Sequence, residues 1–121
     1  MPPENKRLFG KKGEDIAVKH LKENNYVIVQ RNFREGRIGE IDIIAREREF
    51  ICFVEVKART SIEFGMPSEA VNYRKQSKIK KLAYIYVSKH KLYDSNLRFD
   101  IVEIVFSKDK EYTINLIKNA F

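Results

Sequence analysis

The chain changes its hydrophobic rhythm several times. Between Lys12 and Asn24, Ala17, Val18 and Leu21 recur at the spacing of one helix face, which predicts a helix closed by Asn24 and Asn25. The rhythm then shortens. Tyr26 to Arg31, Glu40 to Arg46 and Phe50 to Arg59 read as three strands, separated by the loop "NFREGRIG" and the polar turn "EREF". Thr60 to Met66 reads as a loop, and Pro67 fits the first turn of a second helix running to about Lys89. Ile79, Leu82, Ala83, Tyr86 and Val87 mark that helix's buried face, while Arg74, Lys78 and Lys81 line a different stripe. Leu97 to Phe106 and Tyr112 to Ile117 read as two further strands. With no repeat and no linker, residues 1–121 are expected to form one α/β domain, a mixed central sheet flanked by helices in the order α-β-β-β-α-β-β.

Charges interrupt this pattern where a core should continue. Side chains alternate along a strand. In the third predicted strand Cys52, Val54, Val56 and Ala58 share one face, and Ile51, Phe53, Glu55, Lys57 and Arg59 share the other. One face is apolar throughout. The other begins apolar and ends charged, as a strand does when it leaves the core for a cleft. The second strand carries Glu40, Asp42 and Ile44 on one face. A hairpin closed around residues 46–50 brings Asp42 and Glu55 near each other, within roughly 5–8 Å between Cβ atoms. Two carboxylates that close repel unless a cation lies between them. On the first helix, Glu14 projects in the direction of Ala17, Val18 and Leu21. A charge on the apolar stripe needs a partner, because burying it alone costs several kcal/mol.

Taken singly, each charge has an ordinary explanation. Glu55 and Lys57 could be a solvated ion pair, Asp42 could pair with Arg59, and Glu14 could sit at a helix start. Taken together, three carboxylates and a lysine on one side of a small sheet suit the hydrolysis of a phosphodiester assisted by Mg²⁺ or Mn²⁺. Asp42 and Glu55 are hard oxygen ligands for such an ion. Glu14 can complete the shell directly or through water. Lys57 can orient the attacking water and steady developing negative charge.

Charge and composition agree. The formal net charge of +7 and the pI near 9.5 favour a polyanionic partner. Arg31, Arg34, Arg37 and Arg59 are the preferred phosphate contacts, since a guanidinium can bind phosphate through two N–H groups at once. Arg74, Lys75, Lys78 and Lys81 on the second helix could extend the path, with Arg74 and Lys78 the preferred contacts. Tyr86 reads as core, and no aromatic is assigned to base stacking. No base-reading motif is present, so the backbone and shape of nucleic acid should be recognised rather than its sequence. The single cysteine, Cys52, excludes an internal disulfide and a cysteine-based zinc site, and His20 and His90 lack ligand spacing. The first residues hold charges but no apolar stretch of a signal peptide, and no run approaches the roughly 20 apolar residues of a membrane span. A cytoplasmic protein is expected.

The segments "GKKGEDIAVKHL" (10–21), "RNFREGRIGEIDIIA" (31–45), "FVEVKART" (53–60), "FGMPSEAV" (64–71) and "RFDIVEI" (98–104), in that order, resemble the YraN family of predicted endonucleases. That family lies within the PD-(D/E)xK nuclease superfamily, in the branch that looks like archaeal Holliday-junction resolvases. Asp42, Glu55 and Lys57 match its motif, with Ile41 where the motif often has proline. The resemblance implies a restriction-endonuclease-like core, α-β-β-β-α-β. It implies Glu14, Asp42, Glu55 and Lys57 as catalytic, and the backbone carbonyl of Val56 as a further metal ligand beside Asp42, Glu55 and Glu14. The expected activity is metal-dependent endonuclease action on DNA, with branched or junction DNA as one candidate and a homodimer suggested by analogy. An RNA nuclease and a non-catalytic nucleic-acid-binding module that retains the fold are the alternatives.

Overall fold

The computed structural model describes residues 3–60, 72–109 and 111–121, with side chains described from Gly10 onward. The elements run α1 (Pro3–Glu23), β1 (Val27–Arg34), β2 (Glu40–Glu47), β3 (Phe50–Thr60), α2 (Tyr73–Lys89), β4 (Asn96–Phe106) and β5 (Tyr112–Ile117). The five strands form one sheet in the order β1-β2-β3-β4-β5. β3 and β4 pair in parallel, and the other neighbours are antiparallel. This is the mixed α/β architecture that the alternating pattern predicts.

The sheet separates two apolar layers. Ile44, Ile51, Phe53 and Ile101 meet Ile79, Leu82, Ala83 and Tyr86 of α2. Ile43, Cys52, Val54, Val102 and Ile104 meet Ala17 and Leu21 of α1. The period-two alternation of β3 thus faces a helix on both sides, and its first six residues are buried or nearly so. α1 reaches the sheet closely at Gly13, where an added Cβ would come within 2.9 Å of the Ala58 Cβ. Any side chain at position 13 would push the helix off the strand, and Glu14 beside it would move too.

Three element boundaries differ from those the pattern predicts. α1 begins at Pro3 rather than near Lys12. The proline suits a first turn, where its missing N–H costs nothing. β1 continues past Arg31 to Arg34, because Phe33 pairs with Ile41 and is buried against α2. A register shift between Ile28 and Gln30 admits the extra length. α2 starts at Tyr73, not in a continuous helix from Pro67. Asn72 is extended (φ −73°, ψ 172°) and its side chain accepts the Lys75 N–H, an N-cap. Pro67 itself lies outside the described residues, as do "FGMPSEAV" and the predicted loop from residue 61. Among the described residues no helix is long and apolar enough to cross a membrane.

Candidate active site

Hairpin geometry places the two carboxylates. The β2–β3 ladder steps from Glu47↔Phe50 to Ile43↔Val54, and one more step opposes Asp42 to Glu55. The ladder stops before that step. Beyond it the Asp42 carboxylate, rather than a β2 carbonyl, accepts the Val56 N–H at 2.9 Å. Asp42 is thereby folded back over β3 beside Glu55. Glu55 lies on the α2 face and is 1% exposed. Lys57 follows on the same face, half-buried, and Arg59 ends the row in an ion pair with Glu103 at 3.1 Å.

The structure gives Lys75, expected only as one cation of a basic helix, a place beside the carboxylates. Lys75, in the first turn of α2, places its Nζ 3.0 Å from Glu55 Oε2. It also lies within hydrogen-bonding reach of Lys57. The cation required by two adjacent carboxylates is therefore supplied from the chain itself. Glu55 Oε1 is buried with no hydrogen-bond partner among the described residues. One oxygen of the pair thus remains available to a further cation.

Glu14 takes a different partner from the one expected. Its Oε1 accepts from Arg31 Nε at 2.9 Å and from Asn32 Nδ2 at 3.1 Å. Arg31 reaches on to Asp15. Glu14 is close enough for its charge to raise Asp42, yet its carboxylate is held by β1. No group of three His, Cys, Asp or Glu side chains able to hold a metal ion is assembled among the described residues. The structure therefore joins Asp42, Glu55, Lys57 and Lys75, and holds Glu14 at the edge. At Val56 the N–H is committed to Asp42.

The electrostatics are those of a crowded, poorly solvated set. Burial, then the Glu55 charge, pushes Asp42 up to about 7, against the Val56 N–H and Lys75. Burial also raises Glu55, with Lys75 opposing. Burial and the neighbouring Lys75 lower Lys57. Burial works to lower Lys75, but the Glu55 carboxylate outweighs it and holds the ammonium above its ordinary value. Opposed shifts in neighbouring groups are characteristic of functional sites.

The predicted phosphate contacts divide in two. Arg31 is bound to Glu14 and Asp15, Arg34 to Glu40, and Arg59 to Glu103. Arg37, Arg74 and Lys78 have no ion-pair partner among the described residues. These three border two adjoining hollows that share Gly39 and Glu40. One, of about 310 Å³, lies between the β1–β2 loop and α2 and has Lys75 in its wall. The other, of about 300 Å³, lies between Arg34 and Arg37. Together they lead from the arginine loop to Lys75. Lys75 was hidden in the run "YRKQSKIKK", whose cations all suit a solvated helix face. The one local signal was the Asn72 cap, which fixes where the first turn begins and hence which lysine looks back at the sheet.

Known proteins match this chain closely. The model of a family described as "Uncharacterised protein family UPF0102" matches residues 13–104, the span from the tight glycine of α1 through most of β4. A UPF0102 protein of Acetivibrio thermocellus is 54% identical over 121 residues, covering 97% of this chain and 93% of its own. A UPF0102 protein of Clostridium kluyveri is 47% identical over 114 residues, and one of Clostridium botulinum (strain 657 / Type Ba4) is 46% identical over 115; each match covers 93% of both chains. The chain belongs to the UPF0102 family.

Proposed function

We propose that this protein is a metal-dependent endonuclease of the kind the YraN resemblance implies, hydrolysing phosphodiester bonds in DNA. The observation that carries this reading is the Asp42–Glu55 pair. Two adjacent carboxylates, both raised by burial, share a site with one buried oxygen that has no described hydrogen-bond partner. A purely structural pair would be expected to have its oxygens satisfied.

The donor set suits Mg²⁺ or Mn²⁺, which take oxygen ligands. Asp42 and Glu55 would hold the ion with the Val56 carbonyl, and Glu14 would act on it through Asp42 or water. The ion, when bound, would polarise the phosphate and acidify a water. Everything else falls to the chain. Arg37, Arg74 and Lys78 draw the strand's phosphates along the groove. Lys57, lowered by burial and by the second ammonium, can orient the attacking water. When charged, it stands beside the negative charge developing on the phosphate. Lys75, on the other Glu55 oxygen, would stand beside such an ion and could turn its ammonium toward the substrate.

A binding module without turnover is favoured by two ion pairs. Lys75 on Glu55 and Arg31 on Glu14 neutralise carboxylates that the reaction uses. Two measurements separate the readings. Calorimetric titration with Mn²⁺ should show binding to the wild type that is lost in Asp42→Ala and Glu55→Ala. Single-turnover cleavage of flapped, branched and single-stranded DNA should require both Mn²⁺ and Glu55. Tight DNA binding by wild type and Glu55→Ala alike, with no metal uptake even beside DNA and no cleavage, would sink the nuclease reading.

A further inference from the structure

The outer face of α2 carries two exposed rings that the fold does not use. Tyr73 is 83% exposed and Tyr84 66%. The step from residue 73 to residue 84 makes about three helical turns, so the two side chains leave one line of the helix about 16 Å apart. Two other exposed tyrosines have local partners. The Tyr93 hydroxyl donates to the Ser88 carbonyl at 3.4 Å, and the Tyr112 ring packs against Phe106. Among the described residues, no hydrogen bond, ring contact or cation holds Tyr73 or Tyr84.

Cations run beside that line. By helical spacing Lys81, Arg74 and Lys78 lie in that order around the helix, between the tyrosines and the side that holds Lys75. None of the three has an ion-pair partner among the described residues. The whole of α2, Tyr73–Lys89, contains no acidic residue. Lys80 lies on the far side of the tyrosine line, engaged with the rings of Phe99 and Phe121. The row of free cations therefore has an edge of exposed rings on one side. On the other it passes to Lys75, which reaches Glu55 at 3.0 Å.

We propose that this face is a track for an unpaired nucleic-acid strand, with bases stacked on Tyr73 and Tyr84 and phosphates following Lys81, Arg74 and Lys78 toward Asp42 and Glu55. The arrival at the carboxylates rests on the nuclease reading; the track rests on α2 alone.

An exposed tyrosine alone is ordinary. Two on one line, beside an unopposed row of cations, match the two needs of a single strand: charge for its phosphates and flat faces for its bases. A duplex needs only the cations, because its bases already stack on both faces and leave the stack at a cost. Successive stacked bases lie about 3.4 Å apart along a strand, so rings about 16 Å apart take bases that are not neighbours. The strand then runs along α2 with further nucleotides between its two stacked bases. Stacking accepts any base, which agrees with the lack of a base-reading motif. The substrate class inferred is nucleic acid with a single-stranded segment of several nucleotides beside the site, as in a tail, a flap or an open junction.

The test uses the full chain in EDTA, so that binding is read without cleavage. The probes are oligo-deoxythymidine and an abasic strand of equal length, which has the same phosphates and no bases. The thymidine strand should bind about tenfold more tightly, the worth of one base on a ring. The chain has no tryptophan, so its tyrosine emission can be followed, and it should fall with the thymidine strand only. Tyr73→Ala and Tyr84→Ala together should bring the thymidine strand down to the level of the abasic one. Tyr73→Phe and Tyr84→Phe together should keep the preference. Both positions are exposed, so these changes leave the core alone. Arg74→Ala and Lys78→Ala should each weaken both strands alike and reduce the salt slope by about 0.7.

Equal binding of the two strands by the wild type overturns the track. So does a phenylalanine pair that binds as weakly as the alanine pair, because hydroxyls on phosphates, not rings under bases, would then be at work. Tyrosine-dependent binding to vesicles of phosphatidylglycerol and phosphatidylcholine, with no base preference, would make the face a membrane contact and overturn the strand. The two readings fail separately. A base preference that the tyrosines carry, without cleavage of any DNA in Mn²⁺, removes the nuclease and keeps the track. Mn²⁺-dependent cleavage by a protein with no base preference does the reverse.

Discussion

Two clusters of buried carboxylates sit on opposite faces of the same sheet, and they are built in opposite ways. On the α1 face, Asp100 is fully buried and accepts from the Tyr26 hydroxyl at 2.8 Å, from Arg98 at 2.9 and 3.0 Å, and from the Asn119 N–H at 2.9 Å. Arg98 also donates to Glu47 at 2.7 Å, and Lys118 closes the other Glu47 oxygen. Each carboxylate oxygen has a donor, and the chain's last residues are pinned to β4. On the α2 face, among the described residues, Glu55 pairs with Lys75 and leaves Oε1 without a hydrogen-bond partner, and Asp42 accepts one backbone N–H. Satisfied charges stabilise a fold. Under-satisfied charges in the same sheet are what the proposed metal site would need.

The comparison is broken most easily by neutralising one acid in each cluster. Asp100→Asn should destabilise the protein by about 3–5 kcal/mol in denaturant unfolding, because Arg98 is left buried beside a neutral amide. Asp42→Asn should do the opposite in EDTA at pH 8. Asp42 has a folded pKa near 7 against an ordinary value of 3.8, so folding favours its protonated form. That contribution is complete below about pH 3.8 and is lost as pH rises through about 7. The variant should therefore gain roughly 1–3 kcal/mol over wild type at pH 8 and nothing at pH 4. In a separate calorimetric titration without EDTA it should lose Mn²⁺ binding. Glu47 gives the contrary sign. Burial raises it, but Lys118 and Arg98 outweigh burial and hold it below its ordinary 4.5. Its contribution is present above that value and is lost as pH falls through its folded pKa. If Asp42→Asn destabilises at pH 8, the α2 cluster is structural and the contrast fails.

Removing the tethered cation sharpens the contrast. Lys75→Met leaves Glu55 without its counter-ion, so the metal-free melting temperature should fall. A divalent ion at Glu55 would then no longer face a neighbouring ammonium, and Mn²⁺ should bind about fivefold more tightly by calorimetry. Equal or weaker Mn²⁺ binding would mean that Lys75 does not oppose the divalent ion.

Much of the α2 cluster was legible because it is local. The turn at 47–50 fixes the hairpin register, and that register alone opposes Asp42 to Glu55. Strand alternation puts Glu55 and Lys57 on one face. Helical spacing puts Glu14 against the sheet, although its partner Arg31 comes from the pairing of β1, which spacing does not reveal. Lys75 was legible only as one cation of a basic helix, not as the partner of Glu55. Its approach to Glu55 depends on the crossover from β3 through α2 to β4, and one lysine among the basic residues of α2 carries no mark of which one turns inward. The α1 cluster was half-legible. Arg98 and Asp100 stand two apart on one strand, the same signal that exposed Glu55 and Lys57. Their partners, Tyr26, Glu47 and Lys118, arrive from three other parts of the chain. Long-range pairing decides which of two similar charge patterns is satisfied.

The smallest effect reports on the same contrast without a charge change at either site. Cys52 is fully buried on the α1 face, in register with Arg98. Burial, and then the Asp100 charge, pushes its thiol up to about 12. At pH 8 the folded protein should leave an aromatic disulfide reagent untouched on the timescale in which the denatured chain releases one equivalent of thiolate, since only the thiolate reacts. Any slow labelling then measures opening of the α1 face. Asp100→Asn should speed it and Asp42→Asn should slow it in EDTA, each in proportion to its change in stability when opening is global. If Asp100→Asn leaves the rate unchanged while lowering global stability, Cys52 is reached by a local opening that the network does not control, and the α1 face is less unified than its hydrogen bonds imply.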